Sequence, residues 1–149
     1  MPLSLEDKLA IIELSNAQMR SLDEHDIDAW VDAWVPDGTF VATYGTFAGH
    51  AAIRTFIEGH IAAGKEDGAR HLMTNHVVAA GHTAGTATLT CAVTKLQVEE
   101  PPYIIASGIY RDVVVRTADG WRFTSRELSI DRGVFARAEL AAASNGGGQ

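Results

Sequence analysis

The chain has 149 residues, 46% of them hydrophobic and 21% charged, with a formal net charge of −7. That is the size of one domain with one core. The acidic balance and the lack of any Lys/Arg run argue against nucleic acid or an anionic membrane as partner, and no apolar run approaches the roughly 18 residues a membrane span needs.

The start, MPLSLEDKLA, has no basic region followed by an apolar stretch, so a soluble chain in the cytoplasm is expected. Residues 5 to 22 predict a helix capped by Ser4, with Leu5, Leu9, Ile12, Asn16, Met19 and Asp23 along one stripe. A second helix is expected over 26 to 35, with Asp26 as N-cap and Ile27, Trp30, Val31 and Trp34 on its apolar face, ended by Pro36, Asp37 and Gly38. TFVATYGTF reads as a strand or hairpin, and residues 50 to 63 as a third helix closed by Gly64.

After a polar loop, KEDG, four strand-like runs follow at roughly 69 to 80, 84 to 98, 103 to 117 and 120 to 130. The turn signals AGHTAG, EEPP and TADG separate them as in an antiparallel meander. Helices followed by strands predict an α+β fold, a curved sheet wrapped on three N-terminal helices around an internal pocket. Aromatic residues and methionine suit the walls of such a pocket: Phe40, Trp30 and Met73 are the candidates. One domain over 1–136 and a flexible tail over 137–149, rich in Ala and Gly, complete the expectation.

Alternation along ARHLMTNHVV places His71, Met73, Asn75 and Val77 on one face and His76 on the other. A buried imidazole needs a partner. His71 reads either as a core histidine satisfied by a backbone carbonyl or as a base. Asp23 reads either as the solvated start of the turn DEHD or as the carboxylate that accepts the Nδ1 proton of His71 and orients the ring. Tyr44 and Tyr110 are candidate donors to a substrate oxygen, while Arg126 and Asp131 read as strand-edge charges.

No metal and no cofactor are expected. His71 and His76 fall on opposite faces, and no HExxH pair, phosphate-binding Gly-rich loop or GxSxG elbow is present. The lone Cys91 lies in a strand-like run and reads as a buried structural residue.

The stretches SLDEHDIDAWVDAWVPDGTF, GHAAIRTFI, RHLMTNHVV and SGIYRDVVVRTADGWRFTSREL resemble the SnoaL-like members of the nuclear-transport-factor-2-like superfamily over about residues 5 to 132. The resemblance implies a cone-shaped α+β barrel. Asp23 and His71 match the Asp/His dyad of the scytalone dehydratase, hexachlorocyclohexane dehydrochlorinase and bile-acid 7α-dehydratase members. It therefore implies a cofactor-independent lyase in which His71 removes a C–H proton from a small, largely apolar hydroxylated or carbonyl-bearing molecule, Asp23 orients it, and Tyr44, Asn75, Met73, Tyr110, Phe40 and Trp30 contact the substrate. Leu22 and Gln18 depart from the tyrosine or lysine found nearby in those enzymes, and FVATYG offers no acid for an isomerase of the ketosteroid type. A polyketide-cyclase-like enzyme and a non-catalytic binding or assembly subunit, such as a ring-hydroxylating dioxygenase β subunit, are the alternatives. A homo-oligomer, dimer or trimer, is expected.

Overall fold

Ser4 opens the first helix, α1 (Leu5–Asp23), through a reciprocal capping box: its Oγ accepts from Asp7 N at 3.0 Å, and its own N–H donates to the Asp7 carboxylate at 3.3 Å. The computed structural model describes residues 3–131, so the expected tail at 137–149 and the end of the expected domain lie outside the described residues. The buried stripe of α1 is Ile11, Ser15, Gln18, Met19 and Leu22, whereas Leu5 and Leu9 are exposed. The helix is thus rotated from the apolar reading, because two of its inward positions are polar and serve a buried arginine described below.

Asp26 caps α2 (Ile27–Asp32) by accepting from Ala29 N at 3.0 Å. This helix ends at Ala33, short of the expected 35, because Trp34 already belongs to β1 (Trp34–Ala42). Trp34 pairs with Phe123 of the last strand, after which the pairing shifts and resumes at Thr39 opposite Ser125. Gly38 lies in that irregularity: a Cβ there would sit 2.8 Å from a Trp34 ring carbon and 3.1 Å from the Phe123 carbonyl. Thr43 and Tyr44 form the turn to β2 (Gly45–Ala48), and α3 (Gly49–Ala62) follows directly.

The rest is antiparallel: β3 (Ala69–Ala80), β4 (Thr86–Gln97), β5 (Tyr103–Thr117) and β6 (Gly120–Ile130). The sheet runs β2-β1-β6-β5-β4-β3, with a parallel pairing only between β1 and β6. It does not close. β2 and β3 remain as edges, so the cone is an open one, filled by Ile11, Met19, Trp30, Trp34, Phe123 and their neighbours.

β3 changes phase part-way. Its pairing with β4 slips between Thr74 and Val77, and Asn75 takes a φ of 55°, a left-handed conformation that Asn tolerates better than most residues. Upstream of that bulge His71 and Met73 face inward; downstream His76 and Val78 do, while Asn75 and Val77 face solvent. The strict alternation expected for this strand is therefore corrected at Asn75, Val77 and His76.

Candidate functional site

The helices and the concave face of the sheet enclose a cavity. The enclosed volume is about 80 Å³, and with the space out through the open mouth it is about 580 Å³. The walls are mainly apolar: Leu22, Trp30, Phe40, Phe56, Val93 and Leu128 contribute from six different elements. Tyr44 stands half exposed at the mouth, its ring stacked on Phe56 at 6.0 Å. Such a space suits one small, compact, largely apolar molecule.

His71 enters from β3. Its Nδ1 lies 2.6 Å from Asp23 Oδ1 at the end of α1, and its backbone N–H donates to both Asp23 oxygens at 3.2 and 3.0 Å. A carboxylate only accepts, so the proton of the neutral ring sits on Nδ1 and the Nε2 lone pair is left toward the cavity. One aspartate thereby fixes the position, the rotation and the tautomer of the imidazole.

Opposite Nε2 stands a group of charges. Glu66, in the loop after α3 and only 3% exposed, places Oε1 2.9 Å from His60 Nε2 and Oε2 2.9 Å from Lys95 Nζ; Oε2 is also 3.8 Å from His71 Nε2. The Lys95 ammonium donates to the Lys65 carbonyl at 2.7 Å, and its approach to Oε2 is an ion pair off the hydrogen-bond axis. Burial pushes the Glu66 carboxyl up, but its contacts with His60 and Lys95 and the nearby His71 outweigh this and hold it below the usual carboxylate range. Burial, with the Glu66 charge, pushes the Tyr44 hydroxyl up. Among the described residues no three His, Cys, Asp or Glu side chains gather as a metal would need. The Lys95 ammonium also opposes a cation at Glu66.

Beneath the cavity lies a second polar group. Arg126 is fully buried, not an edge charge: Nε is 3.2 Å from Asp112, Nη2 donates to Ser15 at 2.9 Å, and Nη1 donates to Gln18. Its guanidinium also covers the Tyr110 ring at 3.9 Å. Burial pushes the Tyr110 hydroxyl strongly up and the Asp112 carboxyl up to about 6, against the pull of Arg126. His76 is pushed down by burial and by Arg126. Cys91, 3.8 Å from Ser15 Oγ, is buried and its thiol is pushed up by that burial.

The structure brings His71, Tyr44, Tyr110, Phe40 and Trp30 to the cavity wall, with Asp23 behind His71. Met73 does not line it; it packs against the core beside an outer groove between α1 and β3. Asn75 is turned to solvent by its bulge. His60, Glu66 and Lys95 were not singled out by the sequence. Lys95 carried a usable signal, since alternation in TLTCAVTKL sets it on the same face as Leu89, Cys91 and Val93; Glu66, in KEDG, carried none.

A family model, the SnoaL-like domain, matches residues 3–127, and the chain belongs to that family. Among solved structures it is similar to a protein of unknown function with a cystatin-like fold from Nostoc punctiforme, at 23% identity and TM-score 0.80, over 90% of this chain and 98% of that one. It is similar also to a nuclear-transport-factor-2-like protein from Novosphingobium aromaticivorans, at 29% identity and TM-score 0.76, over 90% and 88% of the two chains. A candidate scytalone dehydratase from the same organism matches at 23% identity and TM-score 0.72, over 85% of each chain. No curated protein matches the chain. No helix among the described residues is long and apolar enough to cross a membrane.

Proposed function

We propose that the chain is a cofactor-independent lyase of the dehydratase kind, acting on a small, largely apolar molecule that carries a hydroxyl or carbonyl group. The observation that carries this reading is the 2.6 Å contact of Asp23 with His71 Nδ1, which leaves Nε2 as a lone pair at an apolar cavity. His71 Nε2 takes a proton from carbon, the C–H electron pair forms the new double bond, and the hydroxyl departs from the neighbouring or conjugated carbon. The ring becomes an imidazolium flanked by two carboxylates, Asp23 on one side and Glu66 on the other. A base positioned in this way contributes about 10²- to 10⁴-fold in rate. Similarity in fold to a candidate scytalone dehydratase is consistent with the reading and does not choose the substrate.

The test is a panel of small hydroxy-ketones followed by the absorbance of the new conjugated double bond. His71→Gln should abolish turnover of any member that reacts, and Asp23→Asn should lower it through the wrong tautomer. Turnover that survives in His71→Gln defeats the mechanism. A panel bound without reaction favours a non-catalytic binding subunit.

The reading includes a homo-oligomer, supported by Leu72, Val77 and Val113, which expose apolar surface on the outer side of the sheet. A single-subunit mass by light scattering would remove that part.

A further inference from the structure

We propose that Lys95 is a further catalytic residue: its ammonium holds the oxygen of a neutral carbonyl compound whose adjacent C–H lies over His71. This rests on the lyase reading and narrows its substrate class to small, uncharged ketones and related carbonyl compounds with a hydroxyl one carbon further on.

The argument begins with register. His71 on β3 and Lys95 on β4 are directly paired, so both side chains leave the same face of the sheet as neighbours. A lysine ammonium has three N–H donors and no acceptor. One is taken by the Lys65 carbonyl at 2.7 Å and the Glu66 carboxylate lies 2.9 Å away, which leaves at least one donor for the cavity that Lys95 lines. These two contacts also stiffen a side chain that is otherwise costly to order, so the donor is in place before a ligand arrives.

Charge then selects the ligand. Lys95 and Glu66 cancel while Asp23 keeps its charge behind the neutral His71, so the pocket disfavours an anion, and its apolar walls favour an uncharged molecule. The oxygen of such a molecule gains a charge-assisted hydrogen bond only at Lys95 Nζ, because the Glu66 oxygens accept and do not donate. Glu66 Oε2 lies 2.9 Å from Nζ and 3.8 Å from His71 Nε2, so the two nitrogens flank one carboxylate oxygen at the wall of the same cavity, within reach of one small ligand. With the carbonyl oxygen on Nζ, the proton on the adjacent carbon passes to Nε2. The C–H electron pair enters the carbon–carbon bond, and the negative charge of the enolate gathers on the oxygen against the ammonium. Loss of hydroxide from the next carbon then restores the carbonyl. No oxidant, metal or second substrate is called for in this balance.

The experiment uses the full chain and acetophenone labelled with carbon-13 at the carbonyl, a neutral ketone that cannot dehydrate, so the readout is independent of turnover. On saturable binding to the wild type the carbonyl resonance should move downfield by several parts per million. In Lys95→Met the ketone should bind about tenfold more weakly, as for one lost hydrogen bond to a charged group, and the downfield movement should vanish. Because removing Lys95 alone strands the buried Glu66, the double variant Lys95→Met/Glu66→Gln repeats the test with the charge pair removed together, and the same loss is expected. His71→Gln should keep the movement, which separates this proposal from the lyase reading: turnover can fail while the carbonyl remains polarised. A resonance that stays displaced in either Lys95 variant overturns the proposal. So does an undisplaced resonance in the wild type, whether the ketone is held elsewhere or not held at all.

Discussion

His71 and Lys95 are register partners on adjacent antiparallel strands, and the Glu66 carboxylate lies against both side-chain ends. A proton acceptor and a proton-rich cation are thereby held side by side without neutralising each other, because each has its own carboxylate contact. The arrangement depends on two segments of different origin: Asp23 at the end of α1 and Glu66 in the loop after α3.

The tautomer of His71 is the most direct consequence that spectroscopy can reach. Nitrogen-15 spectra of the neutral ring should show Nδ1 protonated and Nε2 bare, with the Nδ1 proton far downfield, as a 2.6 Å contact to a carboxylate requires. Asp23→Asn should move that proton upfield and allow the Nε2–H form to appear. A wild-type ring protonated on Nε2 would contradict the orientation of the base.

The buried carboxylates give opposite pH dependences. The Asp112 carboxyl, raised to about 6, binds a proton in the folded state before the unfolded chain does. Its contribution to stability is therefore fully present below the unfolded value of about 3.9 and is lost as pH rises through about 6. Urea titrations should show the wild type losing about 2 kcal/mol relative to Asp112→Asn between pH 4 and 6, with a flat difference above 7. Glu66, held below its ordinary value, acts in the reverse sense: its contribution is present above about 4.3 and is lost as pH falls below that. A wild-type advantage that grows between pH 4 and 6 would mean that Arg126 outweighs burial at Asp112.

Gly38→Ala tests the packing beneath the pocket. The new methyl group would press on the Trp34 ring at 2.8 Å and on backbone oxygens at 3.0 and 3.1 Å, with little freedom to yield. A loss of about 1 to 3 kcal/mol is expected by thermal or urea unfolding, the usual range for overpacking. An unchanged midpoint would show that β1 shifts easily against β6.

The long strands β3 to β6 were legible because turn signals and alternation agree over many residues; their expected limits lie within two residues of those found. The face of α1 was not, since Ser15 and Gln18 are buried as partners of Arg126 and a pattern read from apolarity alone passes over them. Arg126 itself looks like any strand-edge charge until the helix is laid on it. The pairing of Asp23 with His71 was one of two readings open from the residues and was preferred through the family resemblance, whereas Glu66 offered no such reading, because a carboxylate in a loop reads as solvated unless its distant partners His60 and Lys95 are known. Asn75 defeated the alternation argument for a local reason, a single left-handed residue.

That residue divides β3 into two reading frames. The upstream frame sets His71 against Asp23 and Lys95; the downstream one sets His76 and Val78 toward the interior. Deleting Asn75 would remove the extra residue and leave His76 and Val78 inward by plain alternation, whereas drawing Asn75 into the regular ladder would export both and bring Val77 inward. A one-residue insertion between His71 and Leu72, with the downstream register held, would point the imidazole away from its carboxylate. The bulge thus lets the half of the strand that carries His71 and the half that carries His76 and Val78 accept changes separately, each with its own tolerance to length.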